Sequence, residues 1–69
     1  GLSPAAANGA NEEAVNLFLH HQIKFTDIGA LVREAMERQP VVTDYTLEDV
    51  FEADRQARCA VREAAGAES

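Results

Sequence analysis

Thr46-Leu47-Glu48-Asp49-Val50-Phe51-Glu52-Ala53-Asp54-Arg55-Gln56-Ala57-Arg58-Cys59-Ala60-Val61-Arg62-Glu63-Ala64-Ala65-Gly66 decides the fold class of this chain. Its first four residues have the spacing of a capping box, with Asp49 in place of the usual Glu or Gln. Tyr45 and Val50 stand where a hydrophobic staple would sit. Acids lead (Glu48, Asp49, Glu52) and arginines follow (Arg55, Arg58, Arg62), the order that complements a helix dipole. Gly66 is a stop signal. The pattern predicts a helix over residues 47–65, with Leu47, Val50, Phe51, Ala57 and Val61 on its buried face.

Working towards the N-terminus, Pro40 bars a helix from continuing, and Val41-Val42-Thr43 is too short and isolated to pair as a strand. Before it, Ile28, Leu31, Val32, Ala35 and Met36 form an apolar stripe, and Glu34 and Arg38 form an ordered i, i+4 pair. These predict a helix over 27–38, capped by Thr26 and opened by Asp27. The first helix has two candidate starts. Ser3-Pro4 is one, a cap followed by Pro at the first helical position. Gly9 weakens that start by about 1 kcal/mol relative to Ala, so the firm helix is predicted over about 8–21. Its stripe is Ala14, Val15, Phe18 and Leu19, widened by Leu17. Residues 66–69 read as a frayed end. The expectation is an all-α fold: residues 1–69 as one small three-helix antiparallel bundle with a thin core.

With 69 residues, one cysteine and no Cys/His set, the chain offers neither a disulfide nor a structural zinc site. Cys59 suits a reducing compartment. Six basic residues against twelve acidic ones give a net charge of −6. That sign disfavours nucleic acid and anionic lipid as partners. There is no apolar run long enough for a membrane span and no signal-peptide pattern. A start at Gly rather than Met implies a processed or excised piece.

Candidate chemistry is sparse. His20 and His21 are adjacent, so on a helix they point about 100° apart and do not share a metal. Glu12, Asn16 and His20 share one face, read as solvated. Asp54 falls on an apolar stripe, where a general acid or base is conceivable. A carboxylate paired with Arg58 or with backbone N–H groups is the stronger reading. Asn8 and Asn11 fit helix capping better than ligand contact. Cys59 near Arg55, Arg58 and Arg62 could be a reactive thiol, but a packed small residue is the plainer reading. Phosphate loops, H-E-x-x-H, calcium loops and Ser-centred elbows are absent. The only serines, Ser3 and Ser69, do not sit in the Asp-Ser-Leu turn of an acyl carrier.

Pro4-Ala5-Ala6-Ala7-Asn8-Gly9-Ala10-Asn11-Glu12-Glu13-Ala14-Val15 resembles the P-A-x-L-N-A-A-N-E-x-A-V segment of 1-deoxy-D-xylulose 5-phosphate reductoisomerases. Phe18-Leu19 matches the following F-L. Ile23-Lys24-Phe25-Thr26-Asp27-Ile28 is similar to that family's I-x-F-x-D-I, and residues 47–58 to its late L-E-D-V-x-x-A-D-x-x-A-R helix. Three ordered blocks span nearly the whole chain. Ala7 and Gly9 stand where the family prefers Leu and Ala, and Glu13 where an apolar residue is common.

The resemblance implies most of a four-helix C-terminal domain. It implies a parent that converts 1-deoxy-D-xylulose 5-phosphate to 2-C-methyl-D-erythritol 4-phosphate in the non-mevalonate route to isoprenoids. NADPH and a divalent metal (Mg or Mn), upstream catalytic and NADPH-binding domains, a homodimer and a cytoplasmic location (plastid in a plant or alga) belong to that expectation. The family's catalytic, cofactor and metal residues lie upstream of the matching region. None is carried over here, so Asn8, Asn11 and Asp54 are expected to be architectural. The competing reading is an autonomous acidic interaction module whose Ile28/Leu31/Val32 or Val50/Phe51 stripe receives a partner helix.

Overall fold

The Thr46 capping box forms in full. The Thr46 hydroxyl accepts the Asp49 backbone N–H at 3.2 Å, and the Asp49 carboxylate accepts the Thr46 N–H at 2.9 Å. The computed structural model describes residues 2–39 and 44–66. In chain order these form α1 (Leu2–Leu19), α2 (Asp27–Glu37) and α3 (Leu47–Ala65). The break at Pro40, the Val41–Thr43 run, the residues after Gly66 and the capping side chain of Ser3 lie outside the described residues and side chains.

The ends of the helices follow from local chemistry. Gly66 closes α3 in the left-handed conformation, φ +70°, donating its N–H to the Arg62 and Glu63 carbonyls. α1 ends in a Schellman motif: Gln22 N–H donates to Leu17 O and His21 N–H to Phe18 O, at 2.9 and 3.0 Å. That motif needs one left-handed residue, and His21 supplies it at φ +62° without the freedom of a glycine. The expected Thr26 cap does not form: its backbone is helical and its side chain makes no capping bond. The entry to α2 is held one turn earlier, where Asp27 accepts the Lys24 N–H at 2.9 Å.

α1 starts at Leu2, well before the Asn8 or Ala10 start favoured by propensity. Packing explains the difference. Ala6, Ala10, Ala14 and Leu17 recur at helical spacing and are buried against Ala53, Ala57, Ala60 and Val61 of α3 and Leu31 and Ala35 of α2. Burial of this stripe stabilises a turn that Gly9 alone would weaken. Val61 is the largest side chain buried completely. The core is therefore thin, as the sequence implies, and the α2 stripe with Ala14, Leu17, Ala57 and Val61 lies in it as predicted, but the faces of α1 and α3 are rotated towards their alanines. Leu19, Leu47 and Phe51, expected inside, are 65%, 70% and 66% exposed. Helices that approach at alanine leave no room between them for a large side chain, so the bulky residues stand on the flanks. The Ile28/Leu31/Val32 stripe lies against the core and is not a free docking face.

Gly9 of α1 lies beside Asp54 of α3, Glu12 beside Arg58 and Glu13 beside Arg62, so α1 and α3 run parallel. α2 runs back against both of them. Its end reaches α3 through Arg38–Glu63 at 3.3 Å, and its start, with Asp27, Ala30 and Leu31, meets Ala64 and Ala65 in a shallow cleft. The bundle is up-down-up. α2 has 11 residues against 18 and 19 in its neighbours, about 16 Å against roughly 27 Å at 1.5 Å per residue. It covers the upper part of the α1–α3 pair only.

Candidate functional site

Charged side chains gather along the seam where α1 meets α3. Arg58 sits at its centre, one third exposed, and bonds three ways. Its Nε donates to Asp54 Oδ2 at 3.0 Å, one Nη donates to Glu12 Oε1 at 2.7 Å, and the other stands 3.9 Å from Glu13. One turn on, Arg62 reaches the second oxygen of Glu13 at 3.5 Å. Asn8 Nδ2 donates to Glu12 Oε2 at 3.2 Å and completes the chain of contacts. Helical spacing makes this possible: Asp54, Arg58 and Arg62 are four apart on α3, opposite Glu12-Glu13 on α1.

Gly9 admits the seam. A Cβ there would stand 2.9 Å from the Asp54 main-chain oxygen and closer still to its carboxylate. Only a residue without a side chain lets α3 come this near. The resulting electrostatics are those of a brace. Hydrogen bonds from Arg58 and then Asn8 hold the Glu12 carboxyl below its ordinary pKa. Asp54 first and Glu12 second push the Arg58 guanidinium further above its already high value. A second, exposed pair does the same on the outer face of α3, where Arg55 and Gln56 lower the Glu52 carboxyl.

The single residues take the following places. Asp54 pairs with Arg58, which is the architectural reading. Asn8 and Asn11 lie inside α1 and not at its start, so the capping role expected for them is withdrawn; Asn8 instead orients Glu12. Glu12 is half-exposed but belongs to the seam, whereas His20 is exposed, its Nδ1 2.8 Å from the Asn16 carbonyl. Cys59 is half-buried, its Sγ 3.2 Å from Arg62 Nη2, in a shallow cleft with Arg38, Gln39 and Glu63. The sequence reading missed the two links from Glu12 and Glu13 to α3. Their signal was available, in two adjacent acids on one helix and arginines four apart on another.

Among the described residues, no group of three or more His, Cys, Asp or Glu side chains is placed to hold a metal ion. In the seam, arginines lie against the carboxylates of Glu12, Glu13 and Asp54. These residues do not fit the divalent metal that the resemblance implies for the parent. Among the described residues, no helix is long and apolar enough to cross a membrane.

A family model described as the DXP reductoisomerase C-terminal domain matches residues 1–60. The chain belongs to this family. Among curated relatives, the 1-deoxy-D-xylulose 5-phosphate reductoisomerase of Cupriavidus necator is 48% identical over 97% of the chain. The protein of the same name from a Synechococcus strain is 48% identical over 84%, and that of Acetivibrio thermocellus 41% over 91%. The matches span 17, 15 and 16% of those relatives' lengths, respectively. No solved structure matches the chain. The matched residues 1–60 include both ends of the Glu12–Arg58 link across the seam.

Proposed function

We propose that the chain is the structural C-terminal unit of an enzyme that rearranges and reduces 1-deoxy-D-xylulose 5-phosphate to 2-C-methyl-D-erythritol 4-phosphate. The match of the family model over residues 1–60 carries this reading. The parent uses NADPH and a divalent metal, acts in isoprenoid synthesis, works in the cytoplasm and forms a homodimer. Its cofactor and metal ligands come from the polypeptide upstream. Residues 1–69 act as one helical unit whose partners are the catalytic and nucleotide-binding domains of the same chain, not nucleic acid or membrane.

Within this unit no residue makes or breaks a substrate bond. The charged seam supports that assignment: Glu12, Glu13 and Asp54 are spoken for by Arg58 and Arg62, so none is a free base. Their work is to fix α1 against α3. The test is an absorbance assay of the purified 69-residue chain with NADPH and the sugar phosphate, with and without magnesium. No oxidation of NADPH is expected, and turnover would refute the placement of the chemistry upstream. The reading frame ahead of residue 1 is the second check. It should encode a nucleotide-binding domain and acidic metal ligands, and their absence would remove the enzyme reading.

A further inference from the structure

The asparagines of the chain are Asn8, Asn11 and Asn16, and Asn8 alone is followed by glycine. Asparagine is a labile residue because the main-chain nitrogen of the next residue can attack its side-chain amide carbon. A Cβ on that next residue hinders the attack, as on Glu12 after Asn11 and Leu17 after Asn16; Gly9 has none. The helix holds the reaction back. Within α1 the Gly9 N–H is committed to the carbonyl four residues earlier, and helical backbone keeps the nitrogen away from the side-chain carbon. Gly9 is also buried, against Asp54 of α3. This guard is weak. Asn8 and Gly9 are both poor helix formers, and the buried residues of the stretch 4–9 are only Ala6 and Gly9, which offer little apolar area to hold α1 in place. α2 lies against the other end of α3, near Glu63, Ala64 and Ala65. Local opening here therefore costs less than unfolding the bundle.

We propose that Asn8-Gly9 is a self-modification site, exposed by local unwinding of the first turns of α1, and that the acid formed there loosens the seam. On opening, the Gly9 nitrogen bonds to Asn8 Cγ and gives its proton to solvent. The Cγ–Nδ2 bond breaks and ammonia leaves. Water then adds to one of the two carbonyls of the cyclic imide and breaks that carbonyl's bond to nitrogen. One opening leaves aspartate at position 8. The other leaves an isoaspartyl linkage, with the main chain rerouted through the side chain. Nothing is oxidised or reduced, and water is the only co-reactant. The product acts on the seam directly. Asn8 Nδ2 donates to Glu12 Oε2 at 3.2 Å, so its loss removes a donor and sets a second carboxylate one turn from Glu12. Like charges at this spacing repel. Position 8 lies beyond the first turn of α1, where the helix dipole no longer favours an acid. The isoaspartyl form goes further, because its extra backbone methylene breaks the helical hydrogen-bond ladder.

Peptide mass mapping tests this. The 69-residue chain is held in mildly alkaline buffer, folded and in guanidinium chloride, and conversion of amide to acid is followed at each asparagine. An endoproteinase that cuts before aspartate but not before isoaspartate separates the two products. In denaturant, conversion should fall on Asn8, and it should be roughly tenfold or more faster than in the folded chain. Conversion that favours Asn11 or Asn16, or that Gly9→Ala does not slow in denaturant, would overturn the chemistry. Equal rates in the folded and denatured chain would overturn the guard by α1. Gly29→Ala separates local from global opening, because it strengthens α2 at a place with nothing within 4 Å. The folded-state rate should be the same in that variant. Slowing in step with its added stability would mean that only whole-chain unfolding exposes the site, and would overturn the local gate. Asn8→Asp, verified as helical by circular dichroism, should melt a few degrees below the unmodified chain. An equal or higher melting temperature would overturn the loosening of the seam.

Discussion

Replacing Gly9 with alanine should lower stability, whereas the same change at Gly29 should raise it. Alanine is the better helix residue at either position by about 0.5–1 kcal/mol. At Gly29 an added methyl meets nothing within 4 Å, so the gain is realised. At Gly9 it meets the Asp54 main-chain oxygen at 2.9 Å and the Asp54 carboxylate closer still. The carboxylate can rotate away only by leaving Arg58, a partly exposed pair worth about 1 kcal/mol or less. The main-chain oxygen cannot rotate; α3 itself must retreat, and overpacking of this kind costs about 1–3 kcal/mol. The expected balance is a loss of about 1–2 kcal/mol. For a domain of this size each kcal/mol moves Tm by about 4–8 °C. Gly9→Ala should therefore melt about 4–16 °C lower and Gly29→Ala about 2–8 °C higher, by circular dichroism at 222 nm. A rise in both would refute the close approach of α1 and α3. That outcome has a clear physical meaning, because the family segment this stretch resembles prefers Ala at the position of Gly9. It would mean that the two helices spread by a few tenths of an ångström at little cost.

His21→Gly should stabilise the chain by about 0.5–1 kcal/mol in urea unfolding, because glycine adopts the left-handed closure of α1 without a Cβ penalty, less its greater unfolded entropy; a loss would show that the His21 side chain has a contact of its own. Thr46→Ala should cost about 1 kcal/mol and Thr46→Ser much less, since only the hydroxyl is needed for the capping box; equal losses would point to the methyl group instead. The Glu12 carboxyl titrates below its ordinary value of 4.5 when folded, so its contribution is complete above that pH and fades as pH falls through the lowered value. The urea midpoint should drop on acidification below this point, and Glu12→Gln should flatten part of the drop; an unchanged profile would remove Glu12 from the seam.

How much of this was visible in the sequence depends on what each residue had to meet. α2 and α3 are framed by chemistry that acts within one turn, namely the Thr46–Asp49 box, the i, i+4 pair Glu34–Arg38 at 3.6 Å and Gly66. Local rules read such features directly. α1 was misread at its start because Asn8 and Gly9 are poor helix formers, and what offsets them is a helix 45 residues away in sequence, reached at Asp54. The buried faces of α1 and α3 were found only in part, for a related reason. A hydrophobic stripe is sought first among Leu, Val and Phe, yet here Ala6, Ala10, Ala53 and Ala60 extend it beyond the expected Ala14 and Ala57. Alanine is common on any helix face, so its periodicity carries little signal. The seam fell between the two cases: Asp54–Arg58 lies on one helix and was legible, whereas Glu12–Arg58 and Glu13–Arg62 depend on register between helices.

The alanine-lined contact between α1 and α3 has a consequence for how the two helices are held lengthwise. Smooth surfaces of methyl groups lack the knobs that would resist axial sliding. They also freeze no rotamers as they come together, so neighbouring alignments differ little in side-chain entropy. What selects one alignment is the notch at Gly9 and the two ionic pins at Glu12–Arg58 and Glu13–Arg62, a registry role rather than a cohesive one. Filling the notch and removing the pins together should leave a bundle with its helices intact but free to slip past one another by a turn.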